Sequence, residues 1–256
     1  MSRARRRRNR ASSMPLRLGA AILSMPNERH RRLRCFQRAS LLAGIAYTPP
    51  RADNNARRGW LSLHGGGYLL LRYIVTRTQD ASLQDALNLE DQNHGDLLLV
   101  DILDGTLTCF SKVVFALRQL AAADPRPHFI TVFDDDSFIN PTRLEQDLAP
   151  LIAHGREVFY GQVAFVAGWS TKSLLHYGYG LYNVDAKRLF NRWRDRRGAD
   201  PGPGPFPVAY GYAMTVSVGL ALRVAGSPAV AGVEQELLER ARRNQHVKRP
   251  PGAWQV

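Results

Sequence analysis

Cysteine is scarce in this chain: Cys35 and Cys109 are the two among 256 residues. Two thiols exclude a disulfide scaffold and a four-cysteine zinc site, and they leave the redox compartment open. No long hydrophobic run is present either. The nearest, Leu16–Met25, is interrupted by Arg17 and falls short of the roughly 20 apolar residues that a membrane-spanning helix needs. It shows neither an integral membrane bundle nor a secretory leader. Lysine is absent from the first 60 residues, which carry 15 Arg against only Glu28 and Asp53. The whole net charge of +13 therefore lies there, because the rest of the chain holds 20 basic and 20 acidic groups. A body of balanced charge argues against specific nucleic-acid binding. The run Arg5–Arg8 is either a phosphate- or membrane-attracting patch or, more simply, a solvated tail of little specificity.

Other familiar constellations are missing. The seven His are scattered, without the paired spacing of a zinc protease. His64 and Gly65-Gly66-Gly67 are not followed by a serine elbow, which speaks against a hydrolase. Those glycines read instead as a tight turn into the next strand. Gly178-Tyr179-Gly180 lacks the strand–turn–helix context of a dinucleotide fingerprint.

What remains is a globular composition, 45% hydrophobic, at a length that suits one large α/β domain or two small ones. Residues 1–18 read as a basic tail and residues 240–256 as a polar one. The domain between them, 19–239, opens with a strand over Ala20–Ser24 and a basic helix over Glu28–Leu42. A polar loop follows over Pro49–Arg58. Tyr68–Val75 is a buried strand and residues 81–90 suit a helix. Then the alternation becomes regular. Strands fall over Asp96–Ile102, His128–Phe133 and Glu157–Val166. Helices fall over Ser111–Ala123 and from Asn140-Pro141-Thr142 to about His154. A Gly/Pro loop occupies residues 198–207. Strands alternating with helices predict a mostly parallel central sheet flanked by helices.

Asp134, Asp135 and Asp136 are the most informative residues. They close an apolar strand, and three adjacent carboxylates need a cation, hydrogen-bond donors or open water. Ligands at the carboxyl ends of strands are the usual site geometry in open α/β sheets. Hard oxygen ligands suit Mg²⁺ or Mn²⁺, which also hold diphosphates. A solvated acidic turn is the plainer alternative.

Around this triplet stands an ordered series of motifs. Glu90 is followed by His94-Gly95-Asp96-Leu97-Leu98. Asp104 and Lys112 bracket a nine-residue window. Phe129–Asp136 closes on the triplet, and Phe138-Ile139-Asn140 follows. Gly161 lies within a strand, and Phe206-Pro207 precedes Gly211 and Ser217. In this order, over Leu69–Ala225, the series resembles glycosyltransferase family 31, of the β-1,3-galactosyltransferase type. The chain departs from the family where Thr106, Thr108, Cys109 and Phe110 fill the window between Asp104 and Lys112. Val132 stands where the family commonly has Lys. The family's downstream Glu-Asp-Val motif, source of its catalytic base, has no counterpart.

The resemblance implies a GT-A-like fold, the nucleotide-diphospho-sugar transferase type, in a single domain. It implies inverting, metal-dependent transfer of a hexose, galactose or N-acetylglucosamine. The donor would be a UDP-sugar and the acceptor a hydroxyl of a glycan, glycoprotein or glycolipid. Asp136 would ligate Mn²⁺ or Mg²⁺, joined by Asp134, with Asp134 and Asp135 contacting metal, donor sugar or ribose. Lys112 would approach the phosphates, unless it is a surface lysine on the first helical turn. Asp96 and Asp104 would shape the nucleotide pocket, Asp104 being equally readable as a turn cap. Glu234 is the candidate base, although Glu234 and Glu236 also read as helix surface. Without that base, the alternative is a binding protein of the same fold or a fragment of a longer enzyme. Tyr177, Tyr179, Tyr182, Trp169 and Trp193 offer an acceptor-stacking platform or core packing. Family members commonly reside in the Golgi lumen on a membrane tether, which is the localisation implied here.

Overall fold

The computed structural model describes residues 14–43, 60–102, 104, 108–166 and 206–246. The loop expected over Pro49–Arg58, the aromatic platform, Gly178–Gly180 and nearly all of the 198–207 loop lie outside the described residues. So do residues 1–13 and 247–256 of the two expected tails.

In chain order the elements are β1 (Arg17–Ser24), α1 (Glu28–Ala43), β2 (Trp60–Ser62), β3 (Tyr68–Thr76), α2 (Ala81–His94), β4 (Leu97–Val100) and α3 (Cys109–Ala121). There follow β5 (Phe129–Asp134), α4 (Pro141–Leu148), a 3₁₀ turn (Ala149–His154), β6 (Phe159–Val166), β7 (Phe206–Ser217), α5 (Val218–Ala225) and α6 (Pro228–His246). Within the span expected as one domain the chain forms two compact units. One is Met1–Phe159 with Tyr212–Val256, and the other is Tyr160–Gly211. In the smaller unit the described parts of β6 and β7 are neighbouring strands.

The sheet of the larger unit runs β2-β3-β1-β5-β7, with β4 also on β3. β1 is parallel to both β3 and β5, and β4 is parallel to β3. β2 and β7 pair antiparallel, with β3 and β5 respectively. The mostly parallel α/β sheet read from the sequence is therefore present, with antiparallel strands added at its margins.

β1 lies at the centre of this sheet, and the apolar run Leu16–Met25 is its core. It begins at Arg17, two residues inside the expected tail. Leu18, Ala20 and Ile22 pack on one face with Leu69, Leu71, Tyr73, Phe129 and Phe133. Ala21 turns to the other face with Leu70, Ile74, Ile130 and Val132, under Val114, Leu117 and Leu120 of α3 and Ala221 and Ala225 of α5. This period-two division buries both faces, which is why β1, β3 and β5 read as continuous apolar runs rather than alternating ones. Each fully buried Leu or Ile contributes about 1.5–3 kcal/mol relative to exposure.

Local chemistry sets the helix starts. Asp80 accepts from the Leu83 amide ahead of α2. Asn140 accepts from the Arg143 amide ahead of α4, with Pro141 at the first helical position, where its missing N–H costs nothing. The helix expected from Asn140 to His154 changes to a 3₁₀ turn at Ala149-Pro150. At the chain's end α6 continues to His246, so the polar tail expected from Arg240 starts as helix.

A buried ion network ties α1 to α2 and to the start of β4. Arg34 grips Glu90 through Nε–Oε1 at 2.9 Å and Nη2–Oε2 at 2.7 Å. Arg38 reaches Glu90 at 2.8 Å and holds both oxygens of Asp96 at 2.7 and 2.8 Å. Its guanidinium lies 4.7 Å from the Tyr73 ring centre. Burial opposes the charge on Glu90, but the two guanidinium groups outweigh it and hold the carboxyl below its ordinary range.

Candidate functional site

Leu23 and Asp134 are register partners on the parallel strands β1 and β5. The residues next along each strand, Ser24-Met25 and Asp135-Asp136, therefore emerge at the same edge of the sheet. This is the carboxyl edge of the parallel strands, where open α/β sheets bind ligands. A cavity of about 320 Å³ opens there. Its walls come from four places: Leu23 and Ser24 at the end of β1 with Met25 beyond it, His30 on α1, Asp104 with Cys109 and Lys112 at the start of α3, and the aspartate triplet.

The three aspartates are not equivalent. Asp134 and Asp136 are exposed, while Asp135 is buried at 4%. Ser24 Oγ donates to Asp135 Oδ2 at 2.5 Å, and His30 Nδ1 lies 2.7 Å from the same oxygen. The Asp135 amide also donates to Leu23 O at 3.2 Å. Arg34 Nη1 in turn donates to Ser24 Oγ at 2.8 Å, so the ion network behind the site ends on the middle carboxylate. Neither the Asp134 nor the Asp136 carboxylate has a hydrogen-bond or ion-pair partner among the described residues. Burial, and then the charges of Asp136 and Asp135, push the Asp134 carboxyl above its usual range, with Lys112 opposing.

Lys112 is buried on the first turn of α3. Its Nζ donates to Ser24 O at 2.9 Å and to Asp104 Oδ1 at 2.6 Å. That leaves one of its three N–H groups for a ligand. Cys109 stands at the cavity wall, where burial of its sulfur and the Asp134 charge push the thiol upwards and Lys112 pulls it down.

Of the residues singled out from the sequence, Asp104, Lys112, Asp134, Asp135 and Asp136 meet in one cavity. Asp96 is not part of its wall, because both carboxylate oxygens are taken by Arg38. Glu234 is not part of it either. It sits on α6 and pairs with Arg118 of α3 at 3.1 Å, a helix-surface role. Gly65 and Gly67 serve neither an oxyanion nor a nucleotide. Their amides donate at 2.9 Å to the two oxygens of Glu145, a buried acid on α4. The sequence reading missed Ser24 and His30. The available signal was positional: Ser24 ends an apolar strand, as the triplet does, and His30 is the imidazole on the first turns of the helix that follows.

The donor set fits a hard divalent ion in a limited way. Among the described residues no three His, Cys, Asp or Glu side chains gather where they could hold a metal. Two unpartnered carboxylates do face the cavity, and Mg²⁺-type sites typically combine one or two carboxylates with phosphate oxygens and water. No described helix is long and apolar enough to cross a membrane.

The galactosyltransferase family model matches residues 52–191, more than half of the chain. That span holds Asp104, Lys112 and the triplet, and it lies after Ser24 and His30 and before Glu234. Among curated proteins no match is found.

Proposed function

The chain belongs to the galactosyltransferase family, and from that premise we propose that it transfers galactose or N-acetylglucosamine from a UDP-sugar to an acceptor hydroxyl, with inversion and with Mn²⁺ or Mg²⁺. The observation that carries this reading is the cavity at the carboxyl edge of β1 and β5, lined by Lys112 and by Asp134 and Asp136, whose carboxylates have no partner among the described residues. Asp104, Asp134, Asp135 and Asp136 bring four carboxylates to this wall against the one ammonium of Lys112. A nucleoside diphosphate entering alone would meet net repulsion.

Asp136 and Asp134 are the residues that would hold the divalent ion, which when bound supplies positive charge to the diphosphate as it leaves. Lys112 directs its remaining N–H at a phosphate oxygen, while Asp104 and Ser24 O fix the ammonium in place. The acceptor would be a hydroxyl of a glycan, glycoprotein or glycolipid, and the Golgi lumen is the compartment proposed for it.

Incubation of the protein with UDP-galactose or UDP-N-acetylglucosamine and Mn²⁺ tests the reading. Release of UDP supports a transferase. Tight UDP binding without turnover of either donor supports instead a binding protein of the same family, the reading favoured by the engagement of Glu234 with Arg118.

A further inference from the structure

The aspartate triplet sits in a tight turn. The Ser137 amide donates to the Asp134 carbonyl oxygen at 3.0 Å. Asp134 therefore opens the turn, Asp135 and Asp136 are its central residues, and Ser137 closes it. The direction of each side chain follows from the backbone of such a turn. Whatever holds the turn also sets how the Asp134 and Asp136 carboxylates stand to one another.

Beyond the turn the chain is fixed by the buried Ile139 and by the start of α4 at Asn140-Pro141. The turn itself is held from α1. Gln37 Nε2 donates to the Ser137 carbonyl oxygen at 2.8 Å and, at a longer 3.4 Å, to the Asp134 carbonyl oxygen. One side-chain amide thus joins the two ends of the turn. Carbonyls only accept, which fixes the amide with its NH₂ group towards them. Gln37 is 3% exposed, so water competes little for these bonds.

Gln37 belongs to a polar stripe. His30, Arg34 and Gln37 share one face of α1. His30 meets Asp135, and Arg34 Nη1 donates to Ser24 Oγ and to the Met25 carbonyl oxygen at 2.8 and 2.9 Å. The inward face of a helix ordinarily buries apolar side chains. Here it buries hydrogen-bonding ones, and each grips the chain at the carboxyl end of β1 or β5. The Oε1 atom of Gln37 is buried and accepts from no described residue. A methionine of the same length would bury no polar atom there, so packing alone does not call for glutamine.

Resting on the transferase reading above, we infer that Gln37 is a positioning residue of the cation site. By tying the two ends of the turn it keeps the Asp134 and Asp136 carboxylates in one arrangement for the divalent ion. It acts through the Asp134 and Ser137 carbonyls, and the affinity of the site for the ion depends on it.

The test uses Gln37→Met, which conserves volume and removes both N–H groups, and Gln37→Leu as a second shape. Two quantities are measured: the melting temperature, and the Mn²⁺ concentration that supports half of maximal UDP binding. Gly67→Ala is the control, because Gly67 lies against Leu16 at the opposite, amino edge of the parallel strands. Both Gln37 variants should melt within about 4 °C of wild type and need about tenfold more Mn²⁺. Gly67→Ala should melt lower and keep the wild-type Mn²⁺ requirement. An unchanged requirement in the Gln37 variants overturns the assignment and leaves the family site standing. A requirement raised equally in Gly67→Ala, or Gln37 variants that both melt far below wild type, makes Gln37 a packing residue and also overturns it. Failure of the wild type to bind UDP at any Mn²⁺ concentration removes the transferase reading and this one with it.

Discussion

His30 Nδ1 and Asp135 Oδ2 lie 2.7 Å apart, joining residues separated by 105 positions in the chain. The contact, with that from Ser24, ties the buried middle acid of the triplet to the body of the fold at the cavity wall. The site is thereby divided into a buried carboxylate tied to the fold and two exposed ones, Asp134 and Asp136, that line the cavity.

That division is open to a stability measurement. Asp135→Ala leaves a buried serine hydroxyl and an imidazole N–H without their acceptor, which costs about 1–3 kcal/mol. Asp134→Ala and Asp136→Ala remove exposed groups without hydrogen-bond partners among the described residues, so each shifts stability by about 0.5 kcal/mol or less. Urea denaturation of the three variants should rank Asp135→Ala well apart from the other two. Equal losses would show that the triplet acts as one exposed cluster.

The Arg34–Glu90 pair is buried on both sides, at 0% and 4% side-chain exposure. Arg34→Met strands the Glu90 charge beside Arg38 alone, and the expected loss is about 3–5 kcal/mol. Arg34→Met combined with Glu90→Leu should cost less than the sum of the single changes, because the stranded charge is then gone. Additive losses in the double variant would mean that the pair is not coupled.

Gly67 stands where the chain turns into β3. A Cβ there would come within 2.6 Å of Glu145 Oε1 and 2.7 Å of the Leu16 carbonyl oxygen. The backbone oxygen cannot swing aside as a flexible side chain can, so Gly67→Ala should destabilise by about 1–3 kcal/mol. Glu145→Ala should be comparably costly, since it leaves the Gly65 and Gly67 amides without their acceptor. Shifts of the denaturation midpoint check both, and a neutral Gly67→Ala would contradict the close approach.

His128 sets a pH dependence at the opposite end of β1. The Arg17 amide lies 3.1 Å from Nδ1 and the Arg17 guanidinium 3.1 Å from Nε2. Burial first, and then the Arg17 charge, lower its pKa from the ordinary value of 6.5. The unfolded chain therefore takes up the proton more readily than the folded one. This contribution to stability is complete above about pH 6.5 and is lost as pH falls through that value towards the lower folded one. The melting temperature of the wild type should decline over that interval, and less so in His128→Gln. Identical slopes in the two proteins would remove His128 as a cause.

Most of the fold was legible because its parallel strands are buried on both faces and so stand out as apolar runs. Tyr68–Val75 and His128–Phe133 were placed within a residue or two on that signal. β1 was harder, because Arg17 interrupts its run and arginines crowd the preceding residues. What rescues Arg17 is a partner, His128, that lies 111 residues away. The same limit applies at the site. Asp104, Lys112 and the triplet were visible as a spaced series, and the cavity brings them together. Asp96 belongs to the same series but is drawn off by Arg38, a residue whose helix reads in the sequence only as basic. Ser24 and His30 were invisible for the converse reason. Each is unremarkable in its own segment and gains meaning only when β1 and β5 lie parallel with Leu23 beside Asp134.

The central proposal, that Asp136 helps hold a cation that grips a pyrophosphate, is tested most directly by calorimetric titration of UDP into wild type and Asp136→Ala, each with saturating Mn²⁺ and each with chelator. The wild type should bind UDP in Mn²⁺ and lose that binding in chelator, and Asp136→Ala should bind about tenfold more weakly or worse in Mn²⁺, a difference of about 1.4 kcal/mol or more. Equal UDP affinity in the two proteins, or affinity unchanged by removing the metal, would contradict it.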